Sequence, residues 1–134
     1  MGNKRNNERM KVYSFTNSDV FREVLKERCF DENSRNMLDK PAFMVIDTKT
    51  GERFGNLVDI STSGIMIVSE MPVIENTVYR LRMEFLHKIY FEAICAWSRD
   101  IGTGNYISGL KFSMIDSNDL DVIEETIKRF IAGD

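Results

Sequence analysis

Hydrophobic and polar residues alternate with a period of two along much of residues 42–114, which is the pattern of strands with one buried face. The alternation is cleanest over 78–86, where apolar side chains share one face and charged side chains share the other. Shorter apolar runs predict further strands at 43–46, 53–60, 65–68, 89–98 and 106–114. Six antiparallel strands joined by short turns are typical of a closed or nearly closed β-barrel, so the chain is predicted to be mainly β.

Turn-forming residues separate these strands. Residues 47–52 and 100–105 carry the glycines of two hairpins, and His87 with Lys88 is predicted to form another tight turn. Two of the predicted strands carry an apolar face, which indicates that this face is buried. They are formed by Phe91, Ala93, Cys95 and Trp97 in one strand and by Leu110, Phe112 and Met114 in the last.

Helical patterns flank the strands on both sides. A capping-box pattern at 16–19 is followed by apolar residues at helical spacing, which predicts an extra N-terminal helix within 14–30. This helix either caps the barrel or docks a partner. A C-terminal helix is capped by Asp116 or Ser117 and ends near Gly133. Its apolar stripe must pack on the barrel and consists of Leu120, Ile123, Ile127, Phe130 and Ile131.

The remaining segments are polar. Residues 1–13 are dominated by Lys, Arg and Asn and predict a disordered arm, which is either a solvated tail or a docking arm. Residues 31–40 lack periodicity and predict a loop, which Pro41 closes. The chain is therefore divided into an arm, a helix at 14–30, and a barrel with its terminal helix at 31–134.

Composition narrows the class of protein. A chain of 134 residues, 43% of them hydrophobic, can bury one core without disulfides or metals. The net charge of −3 argues against binding of DNA or RNA. The longest apolar stretch, 89–97, is too short to span a bilayer, and the polar start has no signal-peptide pattern. These features predict a cytoplasmic protein without membrane insertion.

The titratable and nucleophilic residues do not assemble into a catalytic or metal site. One histidine, His87, and two distant cysteines, Cys29 and Cys95, are not a usual metal-ligand set. The two cysteines form a disulfide or, as a reducing cytosol favours, remain buried thiols. No serine lies in a nucleophile elbow, and no phosphate-binding glycine loop is present. The sequence therefore predicts a binding protein without a cofactor, not an enzyme.

One segment carries a candidate binding site. Residues 57–68, LVDISTSGIMIV, run from one strand through a polar turn straight into the next. Asp59 and Ser61 are two apart, so they point the same way on an extended chain. Gly64 lets the backbone turn and lets a ligand approach closely. A carboxylate, a hydroxyl and exposed amides at a barrel rim suit a polar, planar ligand; a plain Asx- or Ser-type turn is the alternative.

This segment resembles the PilZ domain, a bacterial receptor module for the second messenger cyclic di-GMP. Residues 59–64, DISTSG, match the D/N-x-S-x-x-G motif of that family. Residues 94–100, ICAWSRD, resemble a family strand that ends in a tryptophan, and 106–112, YISGLKF, resemble the strand after it. The resemblance covers roughly residues 31–132 and implies a six-stranded antiparallel barrel with a C-terminal helix.

The second motif of the family is R-x-x-x-R, whose arginines grip guanine edges and phosphates. Counting back from Pro41 puts the second arginine at Arg35 and the first position at Asp31. A carboxylate there donates no hydrogen bond and repels a dianionic ligand, which predicts weakened binding. The residues that the resemblance assigns to ligand contact are Arg35, Asp59, Ser61 and Gly64.

Two functions follow from the resemblance. The first is a cyclic di-GMP receptor that couples nucleotide binding to a protein partner in motility, pilus or exopolysaccharide machinery. Ligand binding would then order residues 31–40 and change what the barrel surface presents. The second is a nucleotide-independent adaptor that keeps the barrel and binds a protein partner, for which the helix at 14–30 is a candidate surface.

Overall fold

The computed structural model describes residues 8–12, 14, 18–19, 43–85 and 87–133. Within these residues the chain forms seven strands and one helix. They are β1 Met10–Lys11, β2 Met44–Asp47, β3 Arg53–Ile60, β4 Gly64–Ser69, β5 Val78–Phe85, β6 His87–Gly102, β7 Asn105–Ile115 and α1 Ser117–Gly133. None of the described helical residues forms a helix that is both long and apolar enough to cross a membrane.

Strands β2 to β7 close into an antiparallel barrel. The hydrogen-bonded order is β1-β3-β2-β5-β6-β7-β4, and pairing of β3 with β4 joins the ends. Strand β2 pairs with the first half of β3, and β1 pairs with Asp59 and Ile60 at its end. The other edge of β3 pairs with β4. Strand β1 therefore lies on the same edge of β3 as β2 and extends the barrel wall beyond the end of β2. The predicted six-stranded barrel with a C-terminal helix is confirmed.

The core lies inside the barrel and extends under α1. Two aromatic pairs, Phe43 with Phe85 and Phe91 with Phe112, have ring centroids 5.4 Å apart. Such pairs add stabilisation beyond the area that they bury. Residues that share this buried cluster include Val45, Leu57, Ile60, Ile65, Ile67, Leu81, Met83, Ala93, Leu110, Ile123 and Ile127. Of its predicted stripe, the helix buries Ile123 and Ile127 on the barrel and packs Phe130 against the same cluster, whereas Ile131 is 42% exposed.

The sequence predicted chain reversals at three hairpin turns. Gly51 has a φ of 73°, as the predicted hairpin at 47–52 requires. Gly102 pairs with Asn105 around a two-residue turn within 100–105, which is also confirmed. The turn predicted at His87 and Lys88 is wrong because both residues already belong to β6 and pair with Phe85 and Glu84.

Bulges change two faces that simple alternation predicts. The pairing of β6 with β7 shifts between Cys95 and Trp97, so Trp97 lies opposite Gly109 and leaves the inward face. A second shift leaves Met114 opposite Glu92, and Met114 is 64% exposed. Each bulge adds one residue to one strand, which reverses the side that later residues face.

The predicted disordered arm is wrong for residues 8–12. Met10 pairs with Ile60 in β1, and both Met10 and Val12 are buried in the core. Two buried apolar side chains and a strand pairing dock this segment despite its polar neighbours. Residues 1–7 and 31–40 lie outside the described residues, as does most of the predicted helix at 14–30.

Helix α1 begins with the side-chain cap that the sequence predicts. Of the two candidate residues, Asp116 is the cap, because its Oδ1 accepts a hydrogen bond from the Asn118 amide at 2.8 Å. In the first turn, Oδ1 of Asp119 lies 3.0 Å from Nε2 of His87. This contact joins the helix to the start of β6.

Cys95 is a free thiol inside the barrel. Burial raises the pKa of the Cys95 thiol, and the Glu75 carboxylate adds to the rise, while a hydrogen bond to the Trp97 carbonyl lowers it. The thiolate is the reactive form of cysteine. The folded protein should therefore protect Cys95 from thiol reagents.

We expect Cys95 in a Cys29→Ser variant to react with an aromatic disulfide reagent at least about tenfold more slowly in the folded than in the urea-unfolded chain at pH 8. The folded thiol keeps its proton where the unfolded thiol ionises. Stability should therefore fall as the pH rises through the ordinary thiol value of 9.0. Equal reaction rates in the two states would show that the barrel opens at Cys95.

Candidate ligand-binding site

The turn between β3 and β4 carries the hydroxyl groups of the predicted motif. The Ser61 amide donates to the Gly64 carbonyl at 2.9 Å, and the Ser63 amide donates to Ser61 Oγ at 3.2 Å. The Oγ atoms of Ser61 and Ser63 are 2.9 Å apart. Ser61 is fully buried, so its hydroxyl holds the turn in shape. A ligand that used this hydroxyl would compete with bonds inside the turn.

Gly64 is required by close packing of two strands. Its φ is not positive, so the turn itself does not need glycine there. A Cβ at this position would collide with the backbone carbonyl of Leu110 on β7. The reason for glycine thus differs from the expected one: the close approach that it permits is that of a neighbouring strand.

Asp59 is held by an arginine from the N-terminal segment. Nη1 of Arg9 lies 2.7 Å from Oδ1 of Asp59. The side chain of Asp59 is 7% exposed, whereas that of Arg9 is 53% exposed. Pairing of Lys11 with Asp59 in β1 brings Arg9 to this position. An unpaired carboxylate buried to this degree would be unfavourable, so Arg9 supplies the charge that Asp59 needs.

Arg9 is the site residue that the sequence reasoning missed. Arg5 and Arg9 are four positions apart, which is the spacing of the R-x-x-x-R motif. Counting back from Pro41 placed the motif on the loop before the first predicted strand and so passed over this pair. The spacing of Arg5 and Arg9 could by itself have identified this pair as a candidate for the motif. Arg5 lies outside the described residues.

The structure brings three of the predicted site residues together at one end of the β3–β4 hairpin. Asp59 and Ser61 flank Ile60, which faces the core, and Gly64 closes the turn beside them. Arg35 and Asp31 lie outside the described residues, so their approach to this turn stays a prediction.

This arrangement places the nearly buried carboxylate of Asp59 beside the half-exposed guanidinium of Arg9. A carboxylate accepts hydrogen bonds from the N–H edge of guanine, and a guanidinium donates paired bonds to guanine acceptors or to phosphate. Within the described ranges, no three His, Cys, Asp or Glu residues group as possible metal ligands. The site is therefore suited to a polar ligand with acceptor and donor edges.

Similarity to solved structures agrees with this barrel. The Bacillus subtilis inhibitor of motility MotI/DgrA is 20% identical, with a TM-score of 0.54 over 68% of this chain and 47% of that one. The K. pneumonia MrkH–c-di-GMP complex is 14% identical, with a TM-score of 0.60 over 99% of this chain and 55% of that one. The PilZ domain with c-di-GMP of YcgR from Escherichia coli is 14% identical, with a TM-score of 0.50 over 72% of this chain and 90% of that one.

The chain spans about half the length of MotI/DgrA and MrkH. At these identities the likeness concerns the fold. No curated protein sequence matches the chain. The family model of the PilZ domain matches residues 26–133, which include strands β2 to β7 and helix α1. The chain belongs to the PilZ domain family.

Proposed function

We propose that the protein is a receptor for cyclic di-GMP. The observation that carries the proposal is the 2.7 Å ion pair between Arg9 and Asp59, beside the turn that bears the D-x-S-x-x-G residues. MrkH and YcgR, which share the fold, have been solved with c-di-GMP. Asp59 would bind a guanine edge, and Ser61 and Gly64 would shape the turn against the ligand.

Two arginines are candidates for the cationic part of the site. Arg9 already contacts Asp59, whereas Arg35 is assigned by counting from Pro41. We propose that Arg5 and Arg9 supply the R-x-x-x-R function. On this proposal Asp31 does not occupy a motif position, and the weakening that it would cause does not apply.

Calorimetric titration with cyclic di-GMP tests the proposal. We expect Arg9→Ala to weaken binding by about tenfold to a hundredfold, because a hydrogen bond to a charged group contributes roughly 1.5–3 kcal/mol. Arg35→Ala is the matched variant and should bind like the unchanged protein. Thermal unfolding of both variants checks that the barrel is intact.

The opposite ranking of the two variants would move the cationic site to Arg35 and keep the receptor function. Absence of heat for the unchanged protein up to about millimolar ligand would overturn the receptor proposal, since that limit corresponds to only about 4 kcal/mol of binding free energy. Detectable nucleotide turnover would contradict the prediction from the sequence that the protein is not an enzyme.

A second candidate function is the nucleotide-independent adaptor. The observation that favours it is an apolar outer surface on neighbouring strands, where Tyr90 is 59% exposed and Met114 is 64% exposed. Exposed aromatic and methionine side chains are common at protein interfaces. In either case we propose a cytoplasmic role beside a partner in motility, pilus or exopolysaccharide machinery.

A further inference from the structure

A groove of about 490 Å³ crosses the barrel wall where β5, β6 and the end of β7 lie side by side. At one end, the Thr48 hydroxyl donates to the Arg80 carbonyl at 3.0 Å. At the other end lies Asp116, which caps α1. Glu92 lies between these ends, because it pairs with Arg80 on one side and with Met114 on the other. The groove therefore runs from the turn after β2 to the first turn of the helix.

Two large apolar side chains line this groove and remain in contact with water. Tyr90 is 59% exposed and Met114 is 64% exposed. Beside them, Phe91 is buried and packs edge-on against Phe112, so the wall under the groove belongs to the packed core. Covering exposed apolar surface of this kind is favourable, and such surface on a folded protein marks an interaction site. The groove is therefore suited to an apolar side chain of a partner.

The helix side of the groove is acidic. Residues 116–125 contain no Lys, Arg or His, and their acidic members are Asp116, Asp119, Asp121, Glu124 and Glu125. On the barrel side, the exposed bases lie next to acids. Arg80 lies 3.7 Å from Glu92. Lys88 is paired with Glu84 across the β5–β6 ladder. The first turns of α1 thus give one side of the groove an excess of negative charge, which attracts a basic partner.

We infer that this groove docks a short segment of a partner protein that carries an apolar anchor side chain next to lysine or arginine. The anchor covers Tyr90 and Met114, and the base pairs with Asp116. A small ligand is usually enclosed by its pocket, whereas this groove leaves Tyr90 and Met114 open to solvent, as docking of a chain segment requires. Met114 lies three residues, or about 10 Å, beyond Lys111, the partner of Gly64. The surface is thus separate from the motif turn and serves a receptor or an adaptor.

Selection of random short peptides displayed on phage tests this inference with the full chain as the target. Peptides that also bind a Met114→Lys variant are removed, because this variant places a positive charge on the groove. We expect the remaining peptides to share an aromatic or long aliphatic residue beside lysine or arginine. Enrichment of acidic peptides, or of none, would overturn the inference.

The most enriched peptide, synthesised with a fluorescent label, gives affinities by anisotropy. Tyr90→Ser should weaken binding roughly five- to thirtyfold, as loss of an aromatic anchor does. Asp116→Asn should weaken it by roughly two- to fivefold at low salt and less at high salt. Asparagine caps a helix as well as aspartate does, so α1 stays intact. Met71→Lys is the matched control for Met114→Lys, since Met71 is 73% exposed and lines a different groove, and it should have no effect.

Two other results would overturn the inference. If the folded Tyr90→Ser variant binds the peptide as tightly as the unchanged protein, the peptide docks elsewhere. If sedimentation shows a dimer of the unchanged protein that Met114→Lys abolishes, the groove binds a second copy of this chain instead. Thermal unfolding monitors the barrel in each variant. Calorimetric titration with cyclic di-GMP measures the receptor function separately, so failure of either proposal leaves the other standing.

Discussion

Replacing Gly64 with alanine is expected to lower the free energy of unfolding by about 3 kcal/mol, near the upper end for overpacked sites. The added methyl group would collide with the Leu110 carbonyl, which is backbone and belongs to the β4–β7 ladder. A flexible side chain could move aside, but a carbonyl in a strand moves only if the strand moves. Strands β4 and β7 would have to separate next to the motif turn.

Urea unfolding followed by circular dichroism measures this effect. Gly51→Asn is the matched control, because Gly51 has a φ of 73° and open space around the position of a Cβ. Asparagine tolerates that backbone conformation, so the control should change stability by less than about 1 kcal/mol. A Gly64→Ala variant as stable as the unchanged protein would show that the strands adjust, and the packing explanation of this glycine would be wrong.

Replacing Met10 with aspartate is expected to release β1 from the barrel and to weaken cyclic di-GMP binding at least about tenfold, as loss of Arg9 does. Met10 is fully buried, and an unpaired carboxylate cannot be held there. Strand β1 pairs with only two residues of β3, and within residues 8–12 Val12 is the one other buried side chain that holds it in place. Arg9 would then move away from Asp59, although residue 9 itself is not mutated.

Met71→Asp provides the same substitution at a methionine that is 73% exposed. It should bind the nucleotide like the unchanged protein. Hydrogen exchange at Ile60 reports the release of β1 directly, since Met10 pairs with Ile60. If Met10→Asp exposes Ile60 and affinity does not fall, the proposed arginine site at Arg9 is wrong.

Docking of β1 bears on how the proposed receptor would bind. An arginine that is already held beside Asp59 does not have to be ordered by the ligand, and ordering costs are a major term in binding free energy. The ion pair also offsets part of the cost of burying the Asp59 carboxylate. The proposed site would therefore be partly formed before the ligand arrives.

Alternation predicted the barrel strands because each strand has one face against the core. In β5, the predicted apolar face is the buried one, with Leu81, Met83 and Phe85 inside. The same rule was wrong for Trp97 and Met114, since bulges in the β6–β7 pair reverse the alternation. A bulge depends on how two strands pair, so the periodicity of one strand does not predict it.

The motif turn and Arg9, the two parts of the candidate site, also differ in how far the sequence predicts them. Asp59, Ser61 and Gly64 lie within six consecutive residues, and their arrangement is largely a local turn, so the motif located them. Arg9 is 50 positions from Asp59 in the sequence. A docked segment of this kind has too few apolar residues for a periodic signal, and Met10 and Val12 gain their burial only from strands that form elsewhere.

By itself the sequence determined the mainly β class, the approximate positions of six strands, two candidate caps for α1 and the motif turn, since these depend on contacts between near neighbours and on a repeating apolar face. The tertiary structure alone decided that Arg9 meets Asp59, that Trp97 turns outward over Gly109, and that Gly64 is needed by the Leu110 carbonyl. Each of these contacts joins two segments that meet only through strand pairing in the barrel. Their geometry follows from strand register and closure of the barrel, which no local pattern encodes.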